Sequence, residues 1–200
     1  MQNLPNDTTI NRKNTLHLQC TFFINREGLY QSITLMIEIR KTQPTELEIL
    51  MNLFEQGKRI MRKDGNMKQW TGNYPSEELI MKDIANGNSY VCLDEAGEII
   101  GTFAFIQGND PTYARIYDGE WLEETLPYGV IHRLASTEDS KGVAAACLQW
   151  CYRQIPNLRA DTHRDNRILQ YILQKHGFKY CGIIFLANGD ERLAYQKIEQ

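Results

Sequence analysis

The stretch GVIHRLAS at residues 129–136 is followed by the turn TEDSKG at residues 137–142 and by VAAACLQWCY at residues 143–152. The first part predicts a strand, and the last part has the pattern of a helix. The first backbone N–H groups of a helix have no intrahelical acceptor and favour a bound phosphate. Turns containing glycine also occur merely to reverse the chain, so the turn alone leaves both interpretations open.

A second strand and a second helix follow this segment closely. The strand is predicted at residues 158–163, and Asn166 opens a helix that ends at the Gly177-Phe178 pair. Together these patterns resemble the GNAT superfamily of N-acetyltransferases over residues 36–197, most specifically between residues 132 and 178. The resemblance implies an α/β (α+β) fold, in which a mixed central sheet is splayed between strands 4 and 5 and flanked by helices.

The other predicted elements occur in the order expected of that superfamily. A strand at residues 36–40 and a helix beginning at Thr45 come first, and Ser76 is the predicted N-cap of a second helix. Strands at residues 89–93 and 99–106 flank a polar turn, and the Asn188-Gly189 pair predicts the turn of a C-terminal hairpin. This order supports the fold independently of the glycine turn.

The resemblance implies acetyl-CoA as cosubstrate, because in the superfamily the amides of this turn hold the diphosphate of coenzyme A. Gly142-Val143-Ala144 match the last half of the turn motif, whereas Asp139 occupies the first position, which usually carries a base or an amide. Neighbouring Lys141 can supply a positive charge. The candidate cofactor-binding residues lie on the strand end, the turn and the second binding segment: Leu134, Ala135, Ser136, Ser140, Lys141, Gly142, Val143, Ala144 and Asn166.

The resemblance implies direct transfer in a ternary complex, in which an amine attacks the acetyl carbonyl and a strand N–H stabilises the oxyanion. His132 and His163 are the candidate general bases, with Asp165 also considered, because histidine titrates near neutral pH. A lone histidine on a strand is more often structural. Many relatives carry a tyrosine acid where this chain has Leu173, and Tyr171 points elsewhere on the helix, so another group or solvent protonates the leaving thiolate.

Two loops are candidates for selecting the acceptor. The connection between residues 107 and 127 is long, acidic and aromatic, and its Asp118 and Glu120 would suit a cationic amine. Trp70 and Tyr74, between the first two helices, would lie near the acceptor by resemblance. The alternative interpretation of both loops is structural, with a solvated connector in one and core anchors in the other.

Composition narrows the class of protein. A chain of 200 residues with 42% hydrophobic residues suits one compact domain. Its net charge of -3 and its lack of a basic run argue against a nucleic-acid partner, and no apolar stretch is long enough for a membrane. The 5 scattered cysteines indicate a reducing, cytoplasmic compartment. Cys147 and Cys151 share a helix face, where buried thiols are favoured over a metal site.

The first 35 residues differ in pattern from the rest of the chain. They are rich in Asn, Thr and Gln and lack both a helical period and a signal-peptide core. Because Met36 is itself a suitable start, residues 1–35 are interpreted as a weakly structured extension or a misassigned start, and residues 36–200 as the N-acetyltransferase domain. An added edge strand over residues 16–24 is the alternative. Exposed strand edges near the C-terminus are available for pairing between two copies of the chain, so a homodimer is an assembly that the sequence leaves open.

The function implied is that of an N-acetyltransferase, an acyltransferase that moves acetyl from acetyl-CoA to a primary amine of a small molecule or peptide. The main alternative is a non-catalytic acyl-CoA binding or sensing domain, which Asp139 and Leu173 favour. A protein-interaction module that keeps only the fold is a third hypothesis. The sequence does not identify the acceptor.

Overall fold

The computed structural model describes residues 15–24 and 30–199 of the protein. In the described part, two strands are followed by two α-helices, three strands, a helix, a strand, a helix and two strands. The strands are β1 (Thr15–Ile24), β2 (Tyr30–Lys41), β3 (Ser89–Leu93), β4 (Ile99–Gln107), β5 (Gly129–Ser136), β6 (Asn157–Thr162), β7 (Lys179–Phe185) and β8 (Glu191–Ile198). The α-helices are α1 (Leu47–Lys63), α2 (Glu77–Ala85), α3 (Val143–Gln154) and α4 (Arg167–Lys175).

The described strands form a mixed sheet in the order β1-β2-β3-β4-β5-β6-β8-β7. Neighbouring strands run antiparallel except β5 and β6, which are parallel. The pairing of β5 with β6 covers only residues 129–131 against residues 158–160, so the two strands separate beyond Ile131. This confirms the prediction of a mixed sheet that is splayed between its central parallel strands.

The helices pack in two clusters on opposite faces of the sheet. On one face, α3 packs through Cys147 and Trp150 in a cluster that includes Cys92 of β3. The other cluster joins Leu50 of α1 to Val91 of the same strand. Successive strand residues point to opposite faces of a sheet, so Val91 and Cys92 show that α1 and α3 cover different sides.

Two local contacts fix the starts of α2 and α3. The Ser76 hydroxyl accepts a hydrogen bond from the Leu79 N–H at 3.2 Å, which caps the start of α2 and confirms that prediction. Gly101 of β4 lies directly under the start of α3. A Cβ atom on Gly101 would lie 2.4 Å from Cγ1 of Val143, so glycine lets the helix rest against the strand.

The long connection between β4 and β5 is anchored by a buried arginine. The guanidinium carbon of Arg159, on β6, lies 4.1 Å from the Trp121 ring and 3.9 Å from the Tyr128 ring. The same guanidinium donates to the carbonyl of Glu123 at 2.9 Å and to that of Tyr113 at 3.3 Å. These contacts hold the β4–β5 connection against β6, and its aromatic residues Trp121 and Tyr128 contribute to packing.

The N-terminal strands extend the sheet beyond the strand predicted at residues 36–40. β2 begins at Tyr30 and continues through those residues, and β1 pairs with it over most of its length. β1 therefore occupies the residues for which an added edge strand was the alternative. The interpretation of residues 1–35 as a separate extension or a misassigned start stays a prediction, and it includes residues 1–14 and 25–29, which lie outside the described part.

The cysteines of the helical face lie in the core. Cys147 and Cys151 of α3 are fully buried, as predicted, and burial raises the pKa of both thiols. The Sγ atom of Cys92 lies 3.5 Å from that of Cys147. The raised pKa values of Cys147 and Cys151 keep these two thiols protonated and chemically inert. Within residues 15–24 and 30–199, no helix combines the length and apolar character required to cross a bilayer.

Candidate active site

The gap between β5 and β6 opens into a cleft of about 790 Å³. Its walls come from α1, the α1–α2 connection, α2, the start of α3, α4 and the β7–β8 turn. Among the candidate cofactor-binding residues, the cleft is lined by Leu134, Ala135, Ser136, Val143, Ala144 and Asn166. These six candidates thus meet at one concave site, whereas Ser140, Lys141 and Gly142 do not line the cleft.

The exposed edge of β5 fits an extended, amide-containing ligand. Beyond Ile131, β5 has no pairing with β6, and its pairing with β4 shifts register between Ala104 and Thr102. At this bulge Arg133 has a φ of 52°, a left-handed conformation that is uncommon for non-glycine residues. The backbone groups of residues 134–136 therefore border the gap, where an extended chain can add to the sheet.

The start of α3 fits a diphosphate. Gly142 has a φ of 79°, and the first helical hydrogen bond runs from the Ala146 N–H to the Gly142 carbonyl at 2.9 Å. The N–H groups of residues 143–145 thus precede the first intrahelical bond, and Val143 and Ala144 line the cleft. The Ser140 hydroxyl donates to the Thr137 carbonyl at 3.1 Å and so holds the turn in shape.

A histidine–aspartate pair lies where the two strands begin to separate. Nε2 of His132 is 2.9 Å from Oδ2 of Asp110, and both side chains are largely buried and line the cleft. Burial opposes the charge on Asp110, but the hydrogen bond and positive charge of His132 outweigh it and lower the pKa of Asp110 to about 2. The pair orients the imidazole and leaves Nδ1 without a partner in the described part of the chain.

The low pKa of Asp110 predicts an acid-sensitive contribution to stability. A depressed folded-state pKa stabilises the protein above the ordinary value of 3.8 and loses that effect as the pH falls towards 2. The expected contribution is about 2 kcal/mol. Urea unfolding between about pH 5 and pH 2 should show a smaller loss for Asp110→Asn than for the wild type. Equal losses in the two proteins would contradict this assignment.

His163 occupies a different environment from His132. Its Nδ1 accepts the Asp165 backbone N–H at 3.1 Å, and the side chain does not line the cleft. Burial lowers the pKa of His163, although the carboxylate of Asp165 opposes this. The structure therefore gives His163 a role in the turn before α4 and no position from which to take a proton in the cleft.

Asn166 joins two walls of the cleft through its side chain. Its Oδ1 accepts the Leu169 N–H at 3.1 Å and caps α4, while its Nδ2 donates to Oε1 of Gln69 at 2.9 Å. Gln69 belongs to the α1–α2 connection and also accepts a hydrogen bond from Asn66 at 2.8 Å. Because these bonds occupy the amide oxygen and one of its N–H groups, the side chain of Asn166 mainly positions the loop and the helix.

Trp70 and Tyr74 line the cleft, as expected for the α1–α2 connection. The Trp70 ring packs edge-on against Phe54 at 5.7 Å and lies 6.4 Å from the Tyr74 ring. Trp70 has a φ of 55°, and Arg62 donates to its carbonyl at 3.2 Å and to that of Gln69 at 2.8 Å. Trp70 thus packs against the core and also forms part of the cleft wall, and its position next to the acceptor stays a prediction.

Asp118 and Glu120 do not line the cleft. Between β4 and β5 the chain runs along the outer strand β7, where Tyr117 and Ile183 exchange backbone hydrogen bonds of 2.7 and 2.8 Å. Both carboxylates are exposed there. The position predicted for them next to the acceptor is therefore not observed, because the connection folds onto the sheet edge and reaches the cleft only near its start.

Several charged residues of the cleft have no signal in the local sequence pattern. They are Asp83, Asp110, Arg133, Asp161, Asp190 and Arg192. Nη2 of Arg133 lies 2.7 Å from Oδ2 of Asp83, and the Tyr113 hydroxyl donates to Asp161 at 2.5 Å. Asp161 is the exception, because its position at the carboxyl end of β6, next to the splayed gap, was a clue to the site.

Comparison with solved structures agrees with this architecture. A GNAT-family acetyltransferase from Streptococcus agalactiae 2603 is 33% identical, with a TM-score of 0.75, and the match covers 90% of this chain and 99% of that one. GNAT-family acetyltransferases from Listeria monocytogenes 4b F2365 and Bacillus cereus ATCC 10987 are 18% and 14% identical, with TM-scores of 0.60 and 0.55. Each match covers 82% of this chain, and covers 95% and 99% of the respective relatives.

The two more distant structures show a shared fold alone, whereas the streptococcal protein is similar in sequence over nearly its whole length. No family model and no curated protein matches the sequence. The chain belongs to the GNAT family of acetyltransferases.

Proposed function

We propose that the protein is an acetyl-CoA-dependent N-acetyltransferase, which transfers acetyl directly to a primary amine of a small molecule or peptide in a ternary complex. One observation carries the proposal. The open edge of β5 connects the His132–Asp110 pair with the free amides at the start of α3 inside one cleft. The base would thus lie next to the acetyl group, the unpaired strand edge next to the pantetheine arm, and the free amides next to the phosphates of acetyl-CoA.

The residues of β5 and α3 would hold the cosubstrate. Backbone groups of residues 134–136 would pair with the amides of the pantetheine arm, and the N–H groups of Val143 and Ala144 would bind the diphosphate. Gly142 and Lys141 complete the turn, with the Lys141 side chain exposed to solvent. When bound, acetyl-CoA supplies an activated acetyl group as a thioester.

His132 is the proposed general base. Its Nε2 faces Asp110, so the free Nδ1 can accept the proton of the attacking amine while Asp110 holds the ring and stabilises the charged imidazole. A backbone N–H at the bulge of β5 would stabilise the developing oxyanion. Leu173 lines the cleft but has no proton to donate. The Tyr113 hydroxyl is buried and already donates to Asp161. Solvent is therefore the proposed source of the proton for the thiolate.

The acceptor amine would enter between the α1–α2 connection and the β7–β8 turn. Trp70 and Tyr74 form one wall there, and Asp190 and Arg192 belong to the opposite wall. This mixture of aromatic and charged groups suits a polar amine. A cytoplasmic location is proposed together with this function, on the reducing environment that the scattered cysteines indicate.

Calorimetric titration with acetyl-CoA tests the proposed cofactor site. Wild type should bind in the micromolar range, and Gly142→Trp should weaken binding by about thirtyfold, because a side chain at this left-handed position covers the amides of the turn. Gly108→Trp is the matched control. Gly108 also has a positive φ, of 110°, and a Cβ atom there would meet nothing within 4 Å, but it follows the end of β4 that pairs with the start of β5, away from the β5–α3 turn.

Unchanged affinity in Gly142→Trp would contradict the placement of the diphosphate at α3. Two features support the alternative of a non-catalytic acyl-CoA binding domain, namely Asp139 in the turn and Leu173 in the cleft wall. Tight binding of acetyl-CoA without turnover over a broad panel of amines would favour that alternative.

A further inference from the structure

Two cations of α1 contact the turn between β5 and α3. Nε of Arg59 lies 2.9 Å from Oε1 of Glu138, and Nζ of Lys63 lies 2.5 Å from Oε2 of the same carboxylate. The Glu138 backbone N–H donates to Oε1 of Gln56 at 3.2 Å. Arg59 and Lys63 are one helical turn apart, so both side chains project from the same face of α1 toward Glu138.

Lys63 lies at the mouth of the cleft, and Arg59 lies one helical turn before it on α1. A smaller pocket of about 340 Å³ is lined by Ile60, Lys63, Asp64, Glu138 and Ile168, and two of these residues, Ile60 and Ile168, also line the main cleft. A ligand that leaves the cleft past the start of α3 would therefore pass between α1, the turn and α4.

The turn between β5 and α3 carries acidic residues. Asp139 stands where the resembled superfamily carries a base or an amide, and Asp64 and Glu138 are further acids nearby. The single carboxylate of Glu138 is shared by Arg59 and Lys63, so a phosphate that displaced this carboxylate would meet both cations. Two cations from a different element thus stand next to the turn that lacks its usual one.

We infer that Arg59 and Lys63 bind a phosphate group of coenzyme A and replace the cation missing from the turn, with Glu138 occupying the anion position in the free protein. The inference rests on the proposed function. Both side chains are largely exposed and can turn from the carboxylate to a phosphate, which carries more charge and more acceptor oxygens. Glu138 holds both cations in place in the free protein, and no covalent bond is made and no proton moves when a phosphate replaces this carboxylate.

Calorimetric titration of the Arg59→Gln/Lys63→Gln double variant tests the inference. Its affinity for coenzyme A should fall by about tenfold, because two charge-assisted contacts are lost, and this loss should shrink with added salt. Its affinity for S-acetylpantetheine, which has no phosphate, should equal that of wild type. Lys58→Gln is the matched control, since Lys58 lies on the same helix and pairs with Glu55 instead of Glu138.

Dephospho-coenzyme A identifies the phosphate involved. A tenfold loss with this ligand as well assigns the cations to the diphosphate, and a loss with coenzyme A alone assigns them to the 3′-phosphate. Glu138→Gln should tighten the binding of coenzyme A, because it removes the competing carboxylate.

Other outcomes would overturn the inference. They are an affinity of the double variant for coenzyme A within twofold of wild type, an equal loss with S-acetylpantetheine, or weaker binding by Glu138→Gln. Absence of coenzyme A binding by the wild type would instead overturn the proposed function itself.

Discussion

Replacing His132 by Gln is expected to lower kcat by about a hundredfold to a thousandfold, because the variant lacks the only imidazole that lines the described cleft. Gln can still bond to Asp110, whose carboxylate lies 2.9 Å from Nε2 of His132, but it cannot accept the proton of the amine. The affinity for acetyl-CoA should stay close to that of wild type, since the proposed cofactor contacts come from residues after the bulge.

The controls for this prediction separate a base from a packing residue. Asp110→Asn should lower kcat by a smaller factor, of about tenfold, because Asp110 acts through the imidazole as a positioning residue. His163→Gln should keep kcat within about twofold of wild type, since its ring lies outside the cleft. A large loss in His163→Gln together with a small one in His132→Gln would contradict the assignment of the base.

The Asp83→Ala variant is expected to lose about 3 kcal/mol of unfolding free energy. The carboxylate of Asp83 lies 2.7 Å from Arg133, and only 8% of each side chain is exposed, so removal of the acid leaves a buried guanidinium without its counter-charge. Burial raises the pKa of Asp83, whereas the positive charge of Arg133 opposes this rise. The burial effect shows that the Asp83 carboxylate is poorly hydrated. Arg133 is also the residue with positive φ at the bulge of β5.

Urea unfolding followed by circular dichroism measures this effect. Glu120→Ala is the control, because the loss of that exposed carboxylate should change the unfolding free energy by less than about 0.5 kcal/mol. The double variant Asp83→Leu/Arg133→Met should recover most of the loss, since an apolar pair of similar volume needs no desolvated charge. A loss below about 1 kcal/mol in Asp83→Ala would show that Arg133 finds another partner or water.

Local sequence patterns were sufficient to predict most of the strands and helices of the fold. The cap of Ser76 is encoded within a few residues, as is the glycine turn at Gly142, so each could be recognised without knowledge of the rest of the chain. The same holds for the splayed gap, because the segment from β5 to α4 carries the pattern of the superfamily. Residues 134–136 and Val143 could be placed at the cleft for this reason.

The charged pairs in and beside the candidate site join residues that are far apart in the chain. Asp110 precedes its partner His132 by 22 positions, and Arg59 precedes Glu138 by 79. Likewise, only the packing of the β4–β5 connection along β7 shows that Asp118 is outside the cleft. The sequence by itself determined the strands, the helices and the turn proposed to bind the cofactor, since these depend on neighbouring residues. The tertiary structure alone decided the charged pairs, since they depend on strand register and on how helices pack across the sheet.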